Sequence, residues 1–428
     1  MQKYFTLILL TVSSSFLFAQ TPQLISCGAG YNKQSYVRLS DDTEKQVNND
    51  AWDLAFTAFG FQDAGIFINE SAGSTMGQNL PQTELHYANT SDFGAEINLT
   101  AITDTNYLNS ELSWNYGAFN ETRITTSPFD YGWGSYNPMT QSVVGNKVFV
   151  LKLRNGIYKK IKIESLVGTI YTIRYSNLDG SSEIVKTLNK VVDNKGQKLI
   201  FFSFTTNETV DVLPAGGYDF MYGRYISIAT DPNGTIQQLY NVTGVLTGPG
   251  IQVAEADGVD PATVTYAAYI NDFSSKMDVI GFDWKTLVGT SWALDEDKVF
   301  FVKTIDNKVW KLHFFDFEGS PTGNAVFEKT DLGIFSSSDD VQNIEAGIFP
   351  NPVQDQLFIG LDAKELTGDN LMLQVTDING QLILNQKLDK FSGFKMYDVN
   401  TSVWTKGMYL VRLTSDGLNV VSKKVVKI

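Results

Sequence analysis

The chain has 428 residues, of which 43% are hydrophobic, 13% aromatic and 19% charged, with a formal net charge of -14. The length is enough for several buried cores. The acidic balance excludes a phosphate backbone or an anionic lipid surface as the natural partner, since both need clustered Lys and Arg.

Residues 1–20 read MQKYFTLILLTVSSSFLFAQ. Lys3 gives a positive start, Phe5 to Phe18 is mainly apolar, and Ala19 offers a small residue for cleavage, so a secretory signal peptide is expected. The run is too short for a membrane span, and no other stretch approaches 18 apolar residues, so no transmembrane segment is expected. Cys27 is the only cysteine, which rules out an internal disulfide framework. It ends the sequence LISC, but polar AQTPQ separates that box from the apolar run, so Cys27 reads as an ordinary thiol and not as a lipid anchor.

From there onward almost every segment alternates apolar and polar residues with many β-branched and aromatic members, which predicts strands. Examples are YVRLS (36–40), WDLAF (52–56), KVFVLKL (147–153), YTIRY (171–175), KLIFFSF (198–204) and DKVFFVKT (297–304). Asn155-Gly156, Asp179-Gly180, Asn233-Gly234 and Asn379-Gly380 supply the positive φ that tight hairpins need. The fold class is all-β.

Two blocks echo each other. SYVRLSDDTEKQVNNDAWDLAFTAF is answered by FFSFTTNETVDVLPAGGYDFMYGRY, so that Asp53 corresponds to Asp219. KVFVLKLRNGIYKKIKI (147–163) is answered by KVFFVKTIDNKVWKLHFF (298–315), each followed by a Gly and a last strand. These echoes predict two tandem β domains, 21–185 and 186–335. A polar linker at 336–348 and a small β-sandwich-like unit at 349–428 follow, the latter opening with Pro350-Asn351-Pro352 and ending on a strand carrying Lys423, Lys424 and Lys427.

Catalytic patterns are sparse. The chain has two histidines, His86 in a polar connector and His313 in a strand, and GSTMG has Thr at its centre and lacks the strand-to-helix context of a nucleophile elbow. No zinc spacing, EF-hand loop or phosphate-cradling loop occurs. The expectation is a protein that is not an enzyme. A turn-bonding role inside a sheet accounts for the recurrence of Asp53 and Asp219. The aromatic cluster Trp114, Tyr116, Tyr131, Trp133 and Tyr136, and the set Phe282, Trp284 and Trp292, are compatible with core packing or with stacking on a flat ligand.

FPNP at 349–352, DINGQ at 377–381, KGMYLVRL at 406–413 and KKVVK at 423–427 resemble the sorting domain of the type IX secretion system. The resemblance implies export across the outer membrane, with the secretion machinery as the partner of residues 349–428, and a secreted or cell-surface location. Upstream, YVRLSDDTEKQV, AWDLAFTAF, FINESAG (67–73), KVFVLKLRNGIYKKIKI and GTIYTIRY resemble the HmuY family of secreted haem-binding proteins, and GYDFMY with DKVFFVKTIDNKVWKLHFF extends the resemblance to the second block.

Members of that family hold haem iron between two axial side chains, His in some and Met in others. Carried over by position, one ligand region is DYGWGSYNPMTQSVVGN, which offers Tyr136 and Met139, and the other is INLTAITDTNYLNS, which has neither His nor Met. His86 and Met76 are the remaining candidates to complete a haem or porphyrin site. The reading the resemblance favours is capture of haem or a related porphyrin at the cell surface. The alternative is a surface adhesion or structural module on the same scaffold without haem.

Overall fold

The strand Tyr158–Val167 shows how the sequence builds sheets here. Ile161, Ile163 and Leu166 are buried on one face, Lys162 lies on the wetter position between the isoleucines, and a bulge between Ile163 and Ser165 returns Leu166 to the inward face. The computed structural model describes residues 21–60, 63–75, 78–79, 82–102, 106–230, 237–335, 344–363, 371–377, 381–389, 391, 393–415 and 418–428. The expected signal peptide, most of the linker, Met76 and the turns at Asn233-Gly234 and Asn379-Gly380 lie outside them.

In chain order the strands are β1 (Thr21–Ser26), β2 (Lys33–Arg38), β3 (Thr43–Asn48), β4 (Leu54–Thr57), β5 (Ile66–Ile68), the two-residue β6 (Ser74–Thr75) and β7 (Gln78–Asn79), and β8 (Glu84–Tyr87). They continue as β9 (Gly134–Asn137), β10 (Ser142–Gly145), β11 (Phe149–Lys152), β12 (Tyr158–Val167), β13 (Ile170–Ser176), β14 (Ile184–Asn189), β15 (Leu199–Ser203) and β16 (Glu208–Val210). Then come β17 (Phe220–Thr230), β18 (Gln237–Thr247), β19 (Gln252–Ala256), β20 (Lys285–Val288), β21 (Ser291–Leu294), β22 (Val299–Lys303), β23 (Lys308–Phe317) and β24 (Asn324–Ile334). The C-terminal strands are β25 (Ile344–Phe349), β26 (Gln356–Ala363), β27 (Leu371–Asp377), β28 (Leu382–Leu388), β29 (Gly393–Asn400), β30 (Gly407–Ser415) and β31 (Leu418–Lys427). No α-helix occurs among the described residues, as an all-β reading requires. Asn155-Gly156 and Asp179-Gly180 do turn hairpins, with φ of 80° at Gly156 and 86° at Gly180.

Strand pairing crosses residue 185/186, where the boundary between two units was expected. β14 pairs with β13, and β15 inserts between β16 and β4 in the sheet β16-β15-β4-β5. In the opposite sense, β1 pairs with β24, and β2 pairs with β17 in the sheet β3-β2-β17-β18. Residues 54–210 thus form one contiguous body, and the opening segment 21–48 completes a second body with residues 220–334. The reason is local: the Asp53 and Asp219 segments each recruit the hairpin that the other half of the sequence supplies.

Each body has its own core. Leu54, Phe56, Trp133, Phe149, Ile161, Tyr171 and Phe202 belong to the first, and Val37, Phe220, Tyr222, Trp284, Phe300, Phe314 and Phe327 to the second. Trp133 and Trp284 are both fully buried, and a side chain of that kind takes about 150–250 Å² out of water. Between the bodies lies a smaller cluster of Tyr36, Trp52, Ala55, Phe67, Leu199, Phe201, Tyr218 and Met277.

The C-terminal strands form a three-stranded and a four-stranded sheet around Leu357, Ile359, Leu373, Val375, Trp404, Val411 and Val425. β31 is the edge strand of the larger sheet, and Lys423 and Lys424 are exposed on it. Its outer side is partly occupied. Asn351 Nδ2 donates to the Lys424 carbonyl at 2.8 Å, Asn351 Oδ1 accepts from the Val426 N–H at 2.9 Å, and the Val353 N–H donates to the Val426 carbonyl at 2.7 Å. The Pro-Asn-Pro segment and the last strand are therefore bonded to each other.

Candidate functional site

The residues expected to hold a porphyrin are placed apart. His86 is on β8, in a strand and not in a connector, and pairs through Val150 of β11 with Lys160 of β12. Tyr136 is on β9 and pairs through Val143 of β10 with Leu166 of β12. Lys160 and Leu166 are six residues apart on one strand, about 20 Å at strand rise.

They also occupy opposite faces. Val143 and Leu166 are core residues and Tyr136 packs against that core. His86, Val150 and Lys160 share the other face, where the Lys160 ammonium lies 4.9 Å from the Phe93 ring and the loop through Ser91 and Ala95 covers the sheet. His86 Nε2 lies 3.7 Å from Glu84 Oε2. Met139 sits in the turn between β9 and β10 and is 88% exposed. Its backbone N–H bonds Asn137 Oδ1 at 2.9 Å. Tyr136 stacks on Phe129 at 6.2 Å and meets Phe349 edge-on at 6.1 Å. Met139 and Tyr136 share one hairpin, and His86 does not reach it. His313 is on β23 with Nε2 3.0 Å from the Glu296 carbonyl. Cys27 is buried against the Gly323 carbonyl, and burial pushes its thiol up to about 12.

What does converge lies between the two bodies. A cavity of about 70 Å³ is walled by Tyr36, Trp52, Phe67, Trp114, Phe201 and Tyr218, with Met221 and Met277. Phe67 and Trp114 are 5.0 Å apart and Trp52 and Phe201 4.9 Å. Trp114 reaches across from the first body to donate to the Thr247 carbonyl at 2.9 Å.

One side of this cavity is a satisfied polar network. Gln34 Oε1 accepts from Trp52 Nε1 at 2.8 Å and from the Tyr36 hydroxyl at 2.9 Å, and Gln34 Nε2 donates to Asn69 Oδ1 at 3.1 Å and to Ser71 Oγ. The other side carries acid. Glu70 is 5% exposed and accepts from the Asn109 N–H at 2.7 Å. Burial pushes its carboxyl up to about 8 against that bond. Glu111 accepts from Ser227 Oγ at 2.9 Å and shares a side-chain hydrogen bond with Asp278, and burial pushes Glu111 up to about 7. Tyr225 also lines the cavity, and its hydroxyl has no hydrogen-bond partner among the described residues. Sequence reasoning passed over Glu70, although its signal was present: a carboxylate closing the apolar run IFIN, at the head of a small-residue loop.

Comparison with known proteins places the C-terminal unit. Residues 347–427 match the secretion system C-terminal sorting domain. This is the type IX sorting signal, so the protein is secreted or at the cell surface, and the secretion machinery is a partner of its tail. No curated protein matches the chain. Several solved structures are similar to it. Dimeric latent PorU from Porphyromonas gingivalis has 11% identity and a TM-score of 0.21, covering 68% of this chain and 32% of that one. An apo HmuY analog from Tannerella forsythia has 10% identity and a TM-score of 0.19, covering 74% of this chain and 98% of that one. The chain spans about a third of the PorU chain it matches.

Proposed function

We propose that the exported part of this protein is a non-catalytic adhesion or structural module that works outside the outer membrane, and that it does not clamp haem iron. One observation carries the reading: His86 and Tyr136 lie on opposite faces of one sheet, about 20 Å apart along β12. Two axial ligands must face each other across one iron, and these two cannot. The apolar N-terminal segment takes the chain through the inner membrane and the sorting tail takes it further. The two halves read as two copies of one unit, a view supported by the matching bonds of Asp53 and Asp219.

A second reading, porphyrin capture, is favoured by Met139. Its exposed thioether stands on the same hairpin as the Tyr136–Phe129 stack, so one soft ligand and one flat aromatic face adjoin. Titration of the purified exported chain with haemin, followed in the Soret band, separates the two. An unchanged Soret band at micromolar protein agrees with the non-haem module. A saturable Soret shift that is lost in Met139→Ala overturns it in favour of porphyrin capture.

A further inference from the structure

Beyond that reading, we propose that the cavity between the two bodies is a binding site for a protonated alkylamine, with the ammonium held at Glu70 and Glu111 and the alkyl stem against Trp52, Phe67 and Trp114. Three observations converge on it. The walls are aromatic, and indole and phenyl faces attract cations, most strongly where water is excluded. The acidic end forms no ion pair: neither Glu70, Glu111 nor Asp278 has one among the described residues, and the cation acting on Asp278, Lys276, is exposed. Arg224, which also lines the cavity, carries its guanidinium away from them, 5.5 Å from the Tyr31 ring and bonded to the Asn241 carbonyl. Finally, Tyr225 is 3% exposed and its hydroxyl, which can donate and accept, has no hydrogen-bond partner among the described residues.

An ammonium group supplies what each of these lacks. It is a donor with no acceptor of its own, it can bond a carboxylate and a phenol oxygen together, and its charge offsets that of the buried acids. The raised carboxyls fit the same picture: burial resists their ionisation, the neighbouring acids add to it, and a bound cation relieves both. About 70 Å³ is the share of roughly two water molecules, so the site takes the ammonium end and a short stretch of stem. Such an end belongs equally to a free amine and to a lysine side chain of a protein.

The test is calorimetry on the full exported chain with n-butylamine, N-acetyl-lysine amide and n-butanol, alongside the fluorescence of Trp52 and Trp114. The expected result is saturable binding of an amine, with n-butanol weaker by about tenfold or more. Glu70→Gln and Glu111→Gln should each weaken the amine by about thirtyfold, the low end for removing one partner of a buried charge pair. Binding of n-butylamine without the lysine derivative assigns the site to small free amines, and binding of the lysine derivative assigns it to an ammonium end that a protein side chain can supply. The proposal is overturned if n-butanol binds as well as n-butylamine, if the folded Gln variants bind like the parent, or if no amine binds at low-millimolar concentration. The comparison of n-butylamine with n-butanol on the parent chain decides the matter even where a Gln variant fails to fold.

Discussion

The Asp53 carboxylate accepts a 2.7 Å hydrogen bond from the backbone N–H of Phe204, 151 residues further along the chain. Asp219 does the same for the N–H of Leu39, also at 2.7 Å and 180 residues earlier. The backbone around them matches too: the Asp53 N–H donates to the Phe202 carbonyl at 2.9 Å and the Asp219 N–H to the Val37 carbonyl at 2.7 Å. Each acid thus fastens the hairpin contributed by the other half of the sequence.

Replacing either acid with Ala should therefore destabilise the exported module by about 1–3 kcal/mol, because a buried N–H loses its acceptor. Asn, which keeps an acceptor oxygen, should cost less. Urea unfolding of Asp53→Ala, Asp219→Ala and the two Asn variants checks this, and an Ala variant as stable as its Asn counterpart would contradict the capping role.

The pH dependence of stability follows from Glu70 and Glu111. Their folded carboxyls stand at about 8 and about 7, above the usual 4.5. The folded state then holds protons that the unfolded state has released, so their contribution is fully present below about pH 4.5 and is lost as pH rises through 7 to 8. Burial is the main cause; Asp278 opposes ionisation of Glu111 and Glu111 that of Glu70, while bonds from Ser227 to Glu111 and from Asn109 and Ile226 to Glu70 pull the other way, and the exposed Lys276 acts on Asp278. Asp219, raised to about 6 by burial, adds in the same direction. Melting temperatures measured across this range should fall with rising pH, and Glu70→Gln should flatten the slope.

Asp63 and Lys190 form a buried pair, 1% and 7% exposed at their side chains, with the Lys190 ammonium also donating to the Asp63 carbonyl at 2.5 Å. Burial pushes the acid up and the amine down, while their contact pulls each back. Lys190→Met alone should cost about 3–5 kcal/mol by leaving a buried carboxylate unpaired. Adding Asp63→Leu should recover most of that loss. A double-mutant cycle by urea unfolding measures the coupling, and no recovery would mean that the carbonyl contacts of Lys190 dominate.

Removing residues 349–428 should leave the truncated protein in the periplasm with the β spectrum of its two bodies intact. Fractionation and circular dichroism read the two parts separately. Normal delivery of the truncated chain to the surface would argue against sorting by this tail.

Much of this architecture was legible in the sequence. Alternation in GTIYTIRY marked a strand with one buried face, β-branched and aromatic residues in KVFVLKL marked one buried on both, and Gly156 and Gly180 marked hairpins because only glycine takes their φ readily. The spacing FPNP to KKVVK carried the tail, and the fold shows why both ends are needed, since Asn351 bonds Lys424 and Val426. The exchange of opening hairpins was not legible. A strand's apolar face fits either of two similar partners, so YVRLS and IFFSF carry no mark of which sheet they join. The separation of His86 from Tyr136 was not legible for a related reason: the two lie on opposite faces of one sheet, and one bulge in β12 decides which.

β24 now takes on a mechanical meaning. It is held on both sides, by β1 and by β23, and the chain leaves it towards the tail by which the protein is delivered. A module fastened at its tail and gripped elsewhere is loaded along the axis of β24. Its ladders to both neighbours run across that axis, so the bonds share the force in shear instead of opening one after another. The first strand of the module thereby acts as a clasp on the last.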